Sequence, residues 1–293
     1  MDPAIRRGWR GGGVTREWRG PAGMIGVELR KQVRRLRTYI ALGAMVVVPA
    51  IITTAFALGG RPHHHPGDPA TAALVLFATR SGLNMPLAAL STMSPFLLVV
   101  VVALFGGETV AGEAGWGTLR YLLVRPVGRQ RLLTAKLAIA GLLTVIATVL
   151  IVAVGLLAGT LAFGWHPVTI PGGIALPAST ALVRLGISTL YVIWEMSGVL
   201  SFAFLLSVMT DSPIGATAGG IGLAIVSEIL DGISALGSVR IGFPTHDWQA
   251  WNGLFVSPTQ TSEMLRGALV QVPYVAVFLG VAWWWFGRKD ILS

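Results

Sequence analysis

Three acidic residues sit in stretches that are otherwise almost pure hydrocarbon. Glu195 lies near the middle of an apolar run from about Leu185 to Met209, and Glu228 and Asp231 lie near the end of another, from Pro213 to about Ile233. An ionisable side chain inside a membrane-length run is costly to bury and marks a functional site by default. The chemistry open to carboxylates there is a proton or cation relay along a translocation path. The plainer alternative is a structural ion pair or the wall of a polar cavity. Glu228 and Asp231, three residues apart, share a helix face. Arg184 is on the same run as Glu195 but eleven residues away, out of direct reach.

His63, His64 and His65, between Pro62 and Pro66, offer imidazoles, the commonest metal ligands. Three consecutive histidines cannot converge on one ion from an ordinary backbone, and only Asp68 stands near them. They read as a surface loop, and no metal site is expected. The signatures of catalysis are missing too. None of the three lysines, Lys31, Lys136 and Lys289, sits in a Gly-x-x-x-x-Gly-Lys-Ser/Thr phosphate loop, so the chain is not its own ATPase. There is no His-Glu-x-x-His or Gly-x-Ser-x-Gly pattern, and the absence of cysteine removes thiol nucleophiles, disulfides and zinc–thiolate sites. The expectation is a chain without catalytic residues, metal or cofactor of its own.

The elements that hold those acids are membrane spans. Of 293 residues 54% are hydrophobic and only 12% charged, and the mean hydropathy is +0.71, values that a domain with a solvated surface does not reach. Six runs reach the roughly 20 residues that a spanning helix needs. They are Thr38 to Leu58, about Pro86 to Phe105, about Leu133 to Phe163, Leu185 to Met209, Pro213 to about Ile233, and Ala268 to Phe286. The net charge of +9 is concentrated: of 22 Lys and Arg, ten precede residue 38, five lie at 120 to 136 and two at the C-terminal end. Such asymmetry is a positive-inside signal placing both termini and the central loop in the cytoplasm; it is not a nucleic-acid-binding surface.

That central loop, residues 107 to 131, is the only long polar passage between two spans. Gly117 to Val124 reads as a short helix with Leu119, Leu122 and Leu123 on one side and Arg120 off it, ended by Pro126. On pattern alone it is either a docking element for a protein partner or a positively charged turn that only fixes topology.

The run Glu113-x-x-x-Gly117-Thr118-Leu119-x-x-Leu122-Leu123-x-x-Pro126-Val127-x-Arg129-x-x-Leu132-Leu133-x-x-Lys136 resembles the loop between the second and third helices of ABC-2 type transporter permeases, the membrane subunits of bacterial ABC exporters. The match is specific over about thirty residues and loose elsewhere, where it rests on helix count, an N-terminal amphipathic helix and a Phe286-x-x-x-Asp290-Ile291 ending. In that family the loop carries a coupling helix seated in a groove of the ATPase subunit. The resemblance therefore implies that Glu113, Gly117, Thr118, Leu119, Arg120, Leu122, Leu123, Arg125, Pro126 and Arg129 dock a separate ABC ATPase chain. It also implies a second permease subunit, identical or different, ATP and Mg held by the partner rather than by this chain, and a re-entrant hairpin between the last two spans.

Ahead of the spans, residues 1 to 20 form a basic, aperiodic tail expected to be disordered, and residues 21 to 37 an amphipathic helix. Its apolar stripe, Ile25, Leu29, Val33 and Leu36, suits the membrane interface, as an ATPase-touching connecting helix or a plain lipid anchor. Gly155-x-x-x-Gly159 permits close helix approach, chiefly for packing within the chain. Gly215-x-x-x-Gly219-Gly220-x-Gly222 suits a packing surface or a moving joint. Phe243, Trp248, Trp251 and Phe255 suit the outer wet–apolar boundary. The expected whole is an all-α, six-span permease of the bacterial cytoplasmic membrane, residues 38 to 293, exporting an amphipathic substrate. The alternative is a stand-alone proton-coupled secondary transporter or channel using Glu195, Glu228 and Asp231.

Overall fold

A computed structural model of the chain describes residues 26, 29–30, 32, 35–59, 69–114, 129–169 and 175–288. Within them the protein is an all-α integral membrane protein with six helices long and apolar enough to span a bilayer. The short helices, α2 (Pro69–Ala78) and α4 (Ala111–Ala114), are not spans. The six that are comprise α1 (Leu36–Leu58), α3 (Met85–Gly107), α5 (Arg129–Phe163), α6 (Ala178–Met209), α7 (Pro213–Asp231) and α8 (Ser262–Arg288). A two-residue antiparallel pair, β1 (Val168–Thr169) with β2 (Ala175–Leu176), closes the connection from α5 to α6.

Proline and small residues shape these helices. Pro86 occupies the first turn of α3, where its missing N–H costs nothing. Pro95, in the interior, can neither donate to the Ser91 carbonyl nor avoid crowding it, and Ser94–Leu98 widens into a π-helical turn. The Gln249 amide, from the segment between α7 and α8, donates to that Ser91 carbonyl at 3.2 Å. Ser212 caps α7, its hydroxyl accepting from the Gly215 amide at 3.1 Å ahead of Pro213.

α6 is the hub, touching α3, α5, α7 and α8 and turning most of its residues inward. Its neighbours come close because side chains are absent where backbones meet. A Cβ on Gly220 of α7 would stand 2.8 Å from Ala203 Cβ of α6, and one on Gly107 of α3 would stand 2.7 Å from the Thr217 backbone nitrogen. Gly155 and Gly159 of α5 lie against the start of α3: a Cβ on Gly159 would meet Met85 Cβ at 2.5 Å and the Gly82 carbonyl at 2.6 Å. The GxxxG spacing thus serves packing within the chain. Large apolar side chains such as Leu157, Leu190, Ile229 and Leu269 point outward, as a lipid-facing surface requires.

Several boundaries differ from those read by hydropathy. α6 begins at Ala178, not Leu185, and α8 at Ser262, not Ala268, because the polar first turns are helical although they are not apolar. The Ala70–Thr79 run forms a helix of its own, α2. Arg35 is extended (φ −79°, ψ 127°), so the chain breaks there. Leu36 therefore opens α1 with 73% of its surface exposed and does not belong to the apolar stripe of the preceding helix. Leu29 is helical and does pack on the main core.

Candidate functional site

Two polar constellations occupy this bundle, one at the end where α3, α5 and α6 meet the polar loop, the other inside it. At the loop end, Lys136 of α5 and Glu113 of α4 form an ion pair of 2.7 Å with both side chains almost fully buried. The Lys136 ammonium also donates to the Thr109 carbonyl at 2.8 Å. Ser207 of α6 accepts from the Val110 and Ala111 amides at 3.0 and 2.9 Å, satisfying donors that the first turn of α4 leaves open. Glu108, just past α3, pairs with Arg37 at the start of α1 and lies 3.8 Å from Arg35. Both stems of the loop are therefore bonded to each other, and the α3 stem is also bonded to α6 and α1.

The second constellation surrounds Glu195. It lies roughly 25 Å along α6 from Ala178 and roughly 20 Å from Met209 at 1.5 Å per residue, well inside the span. It is 1% exposed, and its Oε1 has no hydrogen-bond partner among the described residues. One turn away the Tyr191 hydroxyl donates to the Asp247 carbonyl at 2.8 Å. The Asp247 carboxylate is gripped by Arg266 through two bonds, 2.8 and 2.6 Å. Gln271 of α8, fully buried, donates to the Glu195 main-chain carbonyl, and its own Oε1 lacks a partner among the described residues. Gly267 makes room at the crossing: a Cβ there would stand 2.3 Å from the Tyr191 hydroxyl, 2.7 Å from Asp247 Cβ and 3.4 Å from Glu195 Oε1.

Asp247 is delivered by the segment between α7 and α8, which contains two 3-10 stretches, Ser234–Gly242 and Ala250–Phe255. Trp251, Leu254 and Phe255 bury themselves against the bundle, and Arg184 of α6 donates to the Leu254 carbonyl.

The three acids singled out by sequence do not form one cluster. Glu195 faces inward. Glu228 is exposed on α7 beside Ile225 and Ile229, and Asp231 is held by His246 at 2.5 Å and Arg240 at 3.5 Å. Asp247, Arg266, Tyr191 and Gln271 carry no motif that marks them; each is 56 or more residues from its partner across the fold except for the Asp247–Arg266 pair. Of the docking residues, Glu113 is buried in the loop network and Arg129 opens α5. Gly117, Thr118, Leu119, Arg120, Leu122, Leu123, Arg125 and Pro126 lie outside the described residues, as do Ile25 and Val33 and the three histidines at 63 to 65. No group of three or more metal-ligating side chains occurs among the described residues.

The fold and these buried polar networks define a multi-pass helical membrane protein. Residues 74–292 match a family described as a protein of unknown function, DUF2705, and the chain belongs to that family. No curated protein matches the sequence.

Proposed function

We propose that the chain is the membrane-spanning permease subunit of an ATP-binding cassette exporter in a bacterial cytoplasmic membrane. In this reading both termini and the 107–131 loop are cytoplasmic, a separate ABC ATPase chain binding ATP and Mg docks on the loop, and a second permease subunit completes the path. The observation that carries it is the anchoring of the loop. A docking helix drives spans only if its stems cannot slide. Here the Glu113–Lys136 pair ties one stem to the other, and Ser207 and Glu108 tie the first stem to α6 and α1. A turn that merely fixes topology needs no buried ion pair, which costs several kcal/mol in desolvation before any attraction is counted.

The mechanism follows from those bonds. Closure of the ATPase dimer presses on Leu119 and Leu122, Arg125 and Arg129 hold the contact, and the stems pass the displacement to α3 and α5. α6 follows through Ser207, and the glycine contacts of α7 let it slide against α3 and α6. The outward path takes an amphipathic substrate, in keeping with walls of alanine, leucine, valine, glycine and aromatic residues. The test is to purify the tagged chain from its native membrane in mild detergent and identify what accompanies it. A Walker-motif ATPase that is lost from Leu119→Asp/Leu122→Asp supports the reading. Recovery of the chain alone, transporting under a proton gradient without ATP, replaces it with a stand-alone carrier.

A further inference from the structure

We propose that Glu195 is a proton-binding site, occupied in this conformation, and that its proton holds the Phe243–Phe255 segment seated on the bundle. The inference does not depend on what drives transport.

A carboxylate this far inside a span needs a cation or several donors to stay ionised. Every charged group on the elements around it is already committed or remote. On α8, Arg266 grips Asp247, and Glu263 stands exposed in the first turn. On the seated segment, Asp247 is neutralised by Arg266, and His246 is bonded to Asp231. On α6 itself, Arg184 is bonded to the Leu254 carbonyl, and the Tyr191 hydroxyl, which donates to the Asp247 carbonyl, lies against the Glu195 carboxyl as the one neutral donor beside it among the described residues. α7 contributes only Glu228 and Asp231, both acids near its end; α3 has no charged residue, and α5 has none beyond Lys136.

Where Glu195 and Gln271 meet, two buried acceptors, Glu195 Oε1 and Gln271 Oε1, lack a donor among the described residues. A proton on Glu195 removes its charge and supplies a donor, and it needs no cavity. Ionised, Glu195 is an uncompensated charge buried beside the segment that Tyr191 and Arg266 hold through Asp247. Deprotonation therefore favours a state in which the segment lifts and water reaches the carboxylate. Acid is therefore expected to seat the segment and alkali to release it.

The chain has no cysteine, so single cysteines report directly. Ala250→Cys probes the buried segment and Thr259→Cys the exposed chain after it. Rates of labelling by a membrane-impermeant maleimide are measured in detergent from acid to alkaline pH, each as the ratio of the first site to the second. That ratio is expected to rise with pH, by up to about tenfold per unit because one proton is exchanged, and to stay low at every pH in Glu195→Gln. A flat ratio in the native background, or an equal rise in Glu195→Gln, overturns the proposal. Infrared spectroscopy reads the proton itself: at neutral pH the carboxylic C=O band must be diminished in Glu195→Gln, and an unchanged band overturns it. If Glu195→Gln does not fold, Glu195→Asp keeps an acid there and must shift that band; a band that does not move is equally fatal.

Discussion

Lys136 and Glu113, on opposite stems of the polar loop, meet at 2.7 Å with both side chains closed to solvent. In that setting losing one partner is far worse than losing both. Lys136→Met leaves the Glu113 carboxylate without its ammonium and is expected to destabilise by about 3–5 kcal/mol, whereas Lys136→Met with Glu113→Leu recovers most of that. Melting in detergent compares the two; a double variant as unstable as the single one contradicts this account of the pair.

Glycine contacts make the second prediction. A methyl group on Gly159 would collide with Met85 and the Gly82 carbonyl, so Gly159→Ala must push α5 off α3, at about 1–3 kcal/mol. Gly141, on the same helix, has nothing within 4 Å, and Gly141→Ala is expected to gain up to about 1 kcal/mol from helix propensity. The melting temperatures of the two variants must move in opposite directions.

The third concerns Pro95. Its ring removes the i+4 donor of the Ser91 carbonyl, and the Gln249 side-chain amide donates there. Gln249→Ala should cost about 1 kcal/mol, and clearly less once Pro95→Ala restores the backbone donor. Equal losses in the two backgrounds, measured by the same melting assay, would break the link.

Much of this was legible in the chain. Six apolar runs name the six spans, and Gly155 and Gly159 announce the close approach that α5 makes. What hydropathy misses is chemistry at helix ends: α6 and α8 start in polar turns, and the break at Arg35 moves Leu36 into a span because nothing apolar marks it. The Glu195 surroundings were illegible for another reason. Tyr191 and Glu195 are one turn apart, but Asp247 and Gln271 arrive from a distant segment and another helix, and no local pattern encodes that pairing. Glu228 and Asp231 share a helix face as expected, yet neither was separable from Glu195 without the fold.

The last prediction turns on unequal burial in the Asp247–Arg266 pair. The Asp247 side chain is 5% exposed and that of Arg266 37%. Removing the arginine strands an acid inside the bundle, next to Glu195; neutralising the acid leaves a guanidinium that water can reach. Arg266→Ala, which removes both bonds, should therefore unseat the segment more than Asp247→Asn, which keeps one acceptor oxygen for the guanidinium. The single cysteine at position 250 reads this as a labelling rate at fixed pH. A faster rate in Arg266→Ala than in Asp247→Asn is expected, and the reverse order would mean that Asp247 holds the segment through its carboxylate charge and not through relief of its burial.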